Sequence, residues 1–226
     1  MGHKTSSKSF RLALTQNWES NWHKSLNFAG LLAQDTHVRN YFMGIFKTLG
    51  VLVYRCQIDR FYKTINIKVY IYDVLNEKKK LDTVKIKESI AKICQTDVNQ
   101  NINLEFIEAK TIFQDANLLG QFLAYRLEKH TSVKKLLFDL KKEFQQLEEK
   151  PSYNKNQKFT SNQTKTIKGI KITLAGCFQG IEMARKETFQ LGQVPLQTLK
   201  ANIDYAKTTA YTVYGAHGIK VWINYR

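Results

Sequence analysis

The strongest constraint on the fold is a pair of β-rich stretches lying almost end to end. Residues 51–60 and 63–72 are dense in Val, Ile and Tyr, and only Phe61-Tyr62 falls between them. In the second stretch Ile65, Ile67, Val69 and Ile71 alternate with Asn66, Lys68 and Tyr70. A two-residue period sends successive side chains to opposite faces, so this is a sheet with one buried side. A hairpin alone cannot bury that side in water, and something must cover it. The flanking segments switch to helical spacing. Leu26, Ala29, Leu32, Phe42, Ile45 and Phe46 predict a helix over residues 25–49, with Ser25 able to cap it and Gly50 able to stop it. Val84, Ile86, Ile90 and Ile93 predict a shorter helix over 83–94, and residues 101–108 alternate again as a third strand. Helix, two strands, helix and strand make a small α+β unit over residues 25–112.

A second α+β unit is expected over residues 113–226. Asp115 can cap a helix whose core positions are Leu119, Phe122, Leu123 and Leu127. A break at His130-Thr131-Ser132 precedes another helix with Val133, Leu136, Leu137, Leu140, Phe144 and Leu147 inward. Lys134 and Lys141, and Lys135 and Lys142, are each seven residues apart on the opposite face, with only Asp139 and Glu143 among them. Residues 150–165, KPSYNKNQKFTSNQTK, contain no acid and little to bury, and read as a Lys-rich insertion or linker. Residues 167–174, 198–212 and 219–225 are strand candidates for a small mixed sheet. Ahead of both units, residues 1–24 read as an extended basic, aromatic arm. Lys4, Lys8, Arg11 and Lys24 alternate there with Phe10, Trp18 and Trp22. Such interleaving suits RNA, since cations meet phosphates and rings stack on bases, although the same rings would also pack an arm onto its own protein.

Charge narrows the function. The net charge is +16, and it is distributed: residues 1–110 carry 17 Lys/Arg against 10 Asp/Glu, and residues 111–226 carry 18 against 9. Both halves suit a polyanion, with nucleic acid ahead of an anionic membrane surface. Lys outnumbers Arg 28 to 7. Lysine binds phosphate as a point charge and lacks the fork that reads a guanine edge, so backbone binding is favoured over base readout. The longest apolar runs, such as residues 51–54, are far short of the ~20 residues that cross a bilayer, and neither a membrane protein nor a secreted one is expected. Cys56, Cys94 and Cys177 are widely spaced and unpaired in pattern, which supports neither a disulfide framework nor a zinc site. The phosphate-loop, HExxH, GxSxG and EF-hand patterns are missing, and the five histidines fall in unrelated segments. A binding protein is expected, without cofactor, metal, small-molecule substrate or catalytic residues.

The carboxyl-terminal third carries a recognisable series of motifs: GIKITLAG at 169–176, GIEMAR at 180–185, GQVPLQTL at 192–199, IDY at 203–205, TVYG at 212–215 and GIKVWI at 218–223. In order and spacing they resemble the small-subunit ribosomal protein S-three family. Gly2 and Lys4, Arg11-Leu12, Trp18 with Ser20 and Trp22, Ile58 with Arg60, and Leu127-Glu128 agree more loosely. The resemblance implies an amino-terminal arm, a type II KH domain and a carboxyl-terminal α+β domain. It implies a structural, ribonucleoprotein role in translation, in the head of the small ribosomal subunit, on rRNA and along the channel that admits mRNA. Proteins of the S-ten and S-fourteen families are implied neighbours.

On this basis Lys134, Lys135, Lys141 and Lys142 are expected to face mRNA. Lys4, Lys8, Arg11, Lys78, Lys79, Lys80 and Arg185 are expected to face rRNA. The sequence departs from the family in places. The turn over residues 75–80, LNEKKK, has no glycine where a KH domain carries GxxG, so a degenerate KH loop is expected. Phe138 and Asp139 replace basic positions of the family's channel helix, and Cys177 stands where Arg is usual. The family's arm begins almost at Met1, so no added presequence is expected. Together with the Lys- and Asn-rich composition, this favours an organelle-encoded protein of the mitochondrial ribosome, the alternative being the bacterial cytoplasm. Two other functions remain open at this stage: a basic enzyme acting on nucleic acid, which would gather carboxylates in one cleft, and a free-standing RNA-binding regulator, which would need an intact GxxG loop.

Overall fold

The computed structural model describes residues 4–22, 28–61, 64–74, 83–94, 101–149 and 167–226. The chain is α+β and forms two compact units, one of residues 17–112 and one joining the stretch through Gln16 to Phe113–Arg226. The expected Ser25 cap, the Lys78–Lys80 turn and the 150–165 insertion lie outside the described residues.

In the first unit the strands β1 (Ser20–Asn21), β2 (Val51–Arg60), β3 (Thr64–Asp73) and β4 (Asn101–Glu108) form a mixed sheet in that order. β2 and β3 are antiparallel, while β1 runs parallel to β2 and β4 runs parallel to β3. α1 (Phe28–Thr48) and α2 (Thr83–Cys94) pack against this sheet and each other. α1 stops before Gly50, whose φ of +74° is a conformation that costs glycine little. Val38, Phe42 and Phe46 from α1 and Ile90 from α2 meet Ile58, Ile65, Ile67 and Val69, all fully or almost fully buried. The alternation of β3 is therefore the core pattern. One buried ion pair ties helix to strand: Arg60 Nε donates to Asp35 Oδ1 at 2.8 Å, with Asp35 completely inaccessible.

In the second unit β5 (Ile167–Gly176), β6 (Arg185–Gly192), β7 (Asn202–Thr212) and β8 (Gly215–Tyr225) pair in the order β6-β5-β8-β7. Every pairing is antiparallel. A mixed sheet was expected here; the mixed sheet belongs to the first unit. The physical reason is the connections: β7 and β8 are joined by a tight turn, and short loops link antiparallel strands, whereas parallel pairs need a long crossover. α3 (Ala116–Glu128) covers one face of this sheet. Its cap is doubled. Asp115 Oδ1 accepts from Asn117 N at 2.8 Å, and Asp204 Oδ2, from β7, accepts from Ala116 N at 3.1 Å. Carboxylates at a helix N-terminus satisfy free N–H groups and complement the dipole. α3 is buried on nearly all sides, and α4 (Val133–Glu149) packs on it through Val133, Leu136, Leu140 and Phe144.

The arm is not a separate extended element. Residues 9–11 form a 3-10 turn within the second unit, and Ser20–Asn21 pair with β2 in the first.

Candidate nucleic-acid interface

α4 supplies the first basic surface. Its apolar positions turn inward and leave Lys134, Lys135, Lys141 and Lys142 exposed on the other face. Phe138 is 56% exposed in their midst, with Lys142 Nζ 4.5 Å from its ring centroid. Glu143 sits at the edge of this face, and burial pushes its carboxyl above the usual range.

The second basic surface lies on the sheet of the same unit and has no counterpart among the expected site residues except Lys4 and Arg11. The face of the β6-β5-β8-β7 sheet turned away from α3 forms the floor of a groove of about 1050 Å³. Strand pairing orders its residues in rows. Lys207, Lys220, Thr173 and Thr188 make one row; Tyr205, Trp222, Lys171 and Gln190 make the next. Lys186 stands opposite Ala175 in a third. Each strand thus contributes one lysine. Lys207 and Lys220 are directly paired, an arrangement that like charges disfavour. Among the described residues lining the groove there is no Asp or Glu. Trp222 and Tyr205 lie side by side with centroids 5.2 Å apart, and Trp222 Nε1 donates to Ser7 Oγ at 3.1 Å. Burial pushes the Tyr205 hydroxyl upward in pKa, so it stays neutral. The arm forms a wall through Lys4, Thr5 and Phe10, the last 57% exposed. The signal for this surface was present as lysines at the polar phase of three strands, in Ile170-Lys171-Ile172, Ala206-Lys207-Thr208 and Ile219-Lys220-Val221.

The expected rRNA residues separate. Lys4 joins the groove, Lys8 is half-buried, and Arg185 is exposed at the start of β6. Arg11 requires correction. It is 1% exposed, and its guanidinium donates to the carbonyls of Ser7, Leu196, Thr198 and Ala201 at 2.9–3.0 Å. An arginine so enclosed, with four of its five N–H donors on main-chain carbonyls, holds the arm to the 196–201 loop and is shut off from phosphate. Sequence alone could not separate it from the neighbouring lysines, because its four acceptors are main-chain carbonyls, three of them about 190 residues away. Among the described residues no three His, Cys, Asp or Glu gather as a metal site, and no helix is long and apolar enough to cross a membrane.

Two α+β units, one of them presenting exposed lysines on both a helix and a sheet, define a basic structural protein whose charge suits a polyanion. The comparisons narrow this further. A family model described as ribosomal protein S3, C-terminal domain, matches residues 144–223. The small ribosomal subunit protein uS3c of Guillardia theta is 32% identical over 226 residues, covering 99% of this chain and 94% of the relative. The uS3 of Cytophaga hutchinsonii is 35% identical over 99% of this chain and 79% of its own length, and that of Pseudothermotoga lettingae 30% identical over 99% and 97%. The chain belongs to the small ribosomal subunit protein uS3 family, a family of ribosomal constituents and not of enzymes.

Proposed function

We propose that this chain is a structural constituent of the small ribosomal subunit head, bound to small-subunit rRNA, with α4 turned to the channel through which mRNA enters. The observation that carries this reading is the near full-length family match in a chain whose exposed helix face is lysine-rich. Binding is electrostatic: lysines neutralise phosphates and release counterions, while packed elements fix where those lysines stand. Lys134, Lys135, Lys141 and Lys142 meet mRNA. Lys4, Lys8 and Arg185 meet rRNA or a neighbouring protein, and the S-ten and S-fourteen families are the proposed neighbours. The unit of residues 17–112 is read as a KH-like module; its helix–strand–strand–helix–strand order is compatible with that assignment. The Lys-rich composition supports a mitochondrial ribosome, with relatives named from both plastid-type and bacterial sources as the competing settings.

The test is sedimentation of native lysate before and after a high-salt wash, with this protein detected in every fraction. Salt-resistant co-migration with the small subunit is expected. Migration near 26 kDa, or loss at moderate salt, would refute the reading.

A further inference from the structure

We propose that the outer face of the β6-β5-β8-β7 sheet binds a single-stranded stretch of RNA, its phosphates on Lys171, Lys186, Lys207 and Lys220 and its bases against Phe10, Tyr205 and Trp222. This deepens the ribosomal reading and rests on it, because it names a ligand for a surface that reading leaves open. Three observations converge. The lysines come one from each strand, on a face where polar alternation would allow either sign of charge, and no acid lines the groove among the described residues. Lys207 stands opposite Lys220 in the ladder, a pairing that costs stability until an anion lies between them. The floor between the lysines is aromatic, and the arm wall adds the exposed ring of Phe10. Phosphate contacts beside aromatic faces are how single strands are held without sequence readout. A duplex keeps its bases stacked and offers nothing to those rings. An acidic peptide would satisfy the lysines and leave the rings without a partner.

The test uses the full chain and a labelled twelve-nucleotide oligouridylate, with Kd measured by anisotropy across a KCl series. In a single strand each neutralised phosphate contributes about 0.7 to the slope of log K against log salt. The triple variant Lys171→Gln, Lys207→Gln, Lys220→Gln should lower that slope by about 2, and weaken binding at least about tenfold at ~0.1 M salt. The arginine triple at the same positions should keep the slope. Phe10→Ala should weaken binding about tenfold with the slope unchanged, since a lost stack carries no counterion. Lys47→Gln with Lys92→Gln, exposed lysines of the other unit, should change neither quantity. If the glutamine triple does not fold by circular dichroism, Lys220→Gln alone should still reduce the slope by about 0.7. Wild-type affinity and slope in a folded triple variant would overturn the proposal. So would displacement of the oligouridylate by polyglutamate of equal charge as readily as by unlabelled RNA. Failure of the ribosomal reading would appear separately, in the sedimentation profile of the unmodified protein.

Discussion

Arg11 offers the sharpest contrast between two roles for one cation. If it grips rRNA, Arg11→Ala costs affinity and leaves the fold alone. In the structure it is a buried clamp, and the same substitution removes four hydrogen bonds, to Ser7, Leu196, Thr198 and Ala201. A hydrogen bond with a charged donor has a net worth of about 1.5–3 kcal/mol, so four would sum to about 6–12. Two effects reduce that sum. The wild type spends free energy desolvating the guanidinium, consistent with its lowered pKa, and water can enter the space left by the side chain. A local cost of about 3 kcal/mol is the resulting expectation. It should be confined to the arm, where Thr15 N and Gln16 N donate to Arg11 O at 3.0 Å. Hydrogen exchange read by mass spectrometry is the suitable assay, because it resolves local opening from global unfolding. At 1.36 kcal/mol per decade, exchange across residues 9–16 should accelerate about a hundredfold. Arg11→Lys should rescue little, since a single ammonium cannot span acceptors that a planar fork reaches together. Unchanged exchange in Arg11→Ala, accompanied by a tenfold loss of RNA affinity, would refute the clamp.

In the first unit, Asp35→Ala should cost about 3–5 kcal/mol in urea unfolding, because it strands the buried Arg60 guanidinium; a loss under 1 kcal/mol would show the pair to be solvated. Gly192→Ala should be severely destabilising, since φ is +65° there and a Cβ would lie 2.2 Å from Lys168 O; a Tm within 2 °C of wild type would contradict this. Burial pushes the Cys56 thiol up to about 12 from an ordinary 9.0. The unfolded chain therefore ionises first, and stability present in full below pH 9 should fall as pH rises through 9–12, by at most about 4 kcal/mol. Denaturation midpoints of wild type and Cys56→Ala, measured across that window, should differ in slope. Lys134→Ala with Lys135→Ala should leave subunit assembly intact and weaken engagement of structured mRNA in a reconstituted initiation assay; collapsed assembly would show these lysines to be scaffold.

What could be read from the chain beforehand follows from which patterns are local. β2, α2 and β4 fall where their alternation or helical spacing puts them, because each carries its period in its own residues. β6 carries that period only weakly because it is an edge strand. Its inward positions Glu187, Phe189 and Leu191 are only half-buried, so selection for apolar residues there is weak. β1, two residues long, has no period at all. The antiparallel order of the second sheet and its lysine rows are products of pairing between distant segments. Lys171, Lys186, Lys207 and Lys220 become neighbours only once four strands are in register. The four lysines of α4 needed no such assembly, since one helix brings them to one face.

The scarcity of arginine acquires a structural meaning from this. Of seven arginines, Arg11 clamps the arm, Arg60 pairs with buried Asp35, Arg39 donates to Ser20 Oγ, and Arg126 lies 5.2 Å from the Phe122 ring centroid. In these four the forked, multi-donor cation fixes geometry within the protein, while Arg185 stays exposed at the start of β6. The exposed positive charge of α4 and of the sheet groove is lysine throughout. Lysine holds phosphate without specifying base, so both surfaces are suited to RNA whose position is set elsewhere, by pairing or by neighbouring chains. Exchanging those lysines for arginine should therefore preserve salt-dependent affinity, whereas Arg11→Lys should loosen the arm and Arg60→Lys should destabilise the first unit. The two cations carry equal charge here and divide the work by shape.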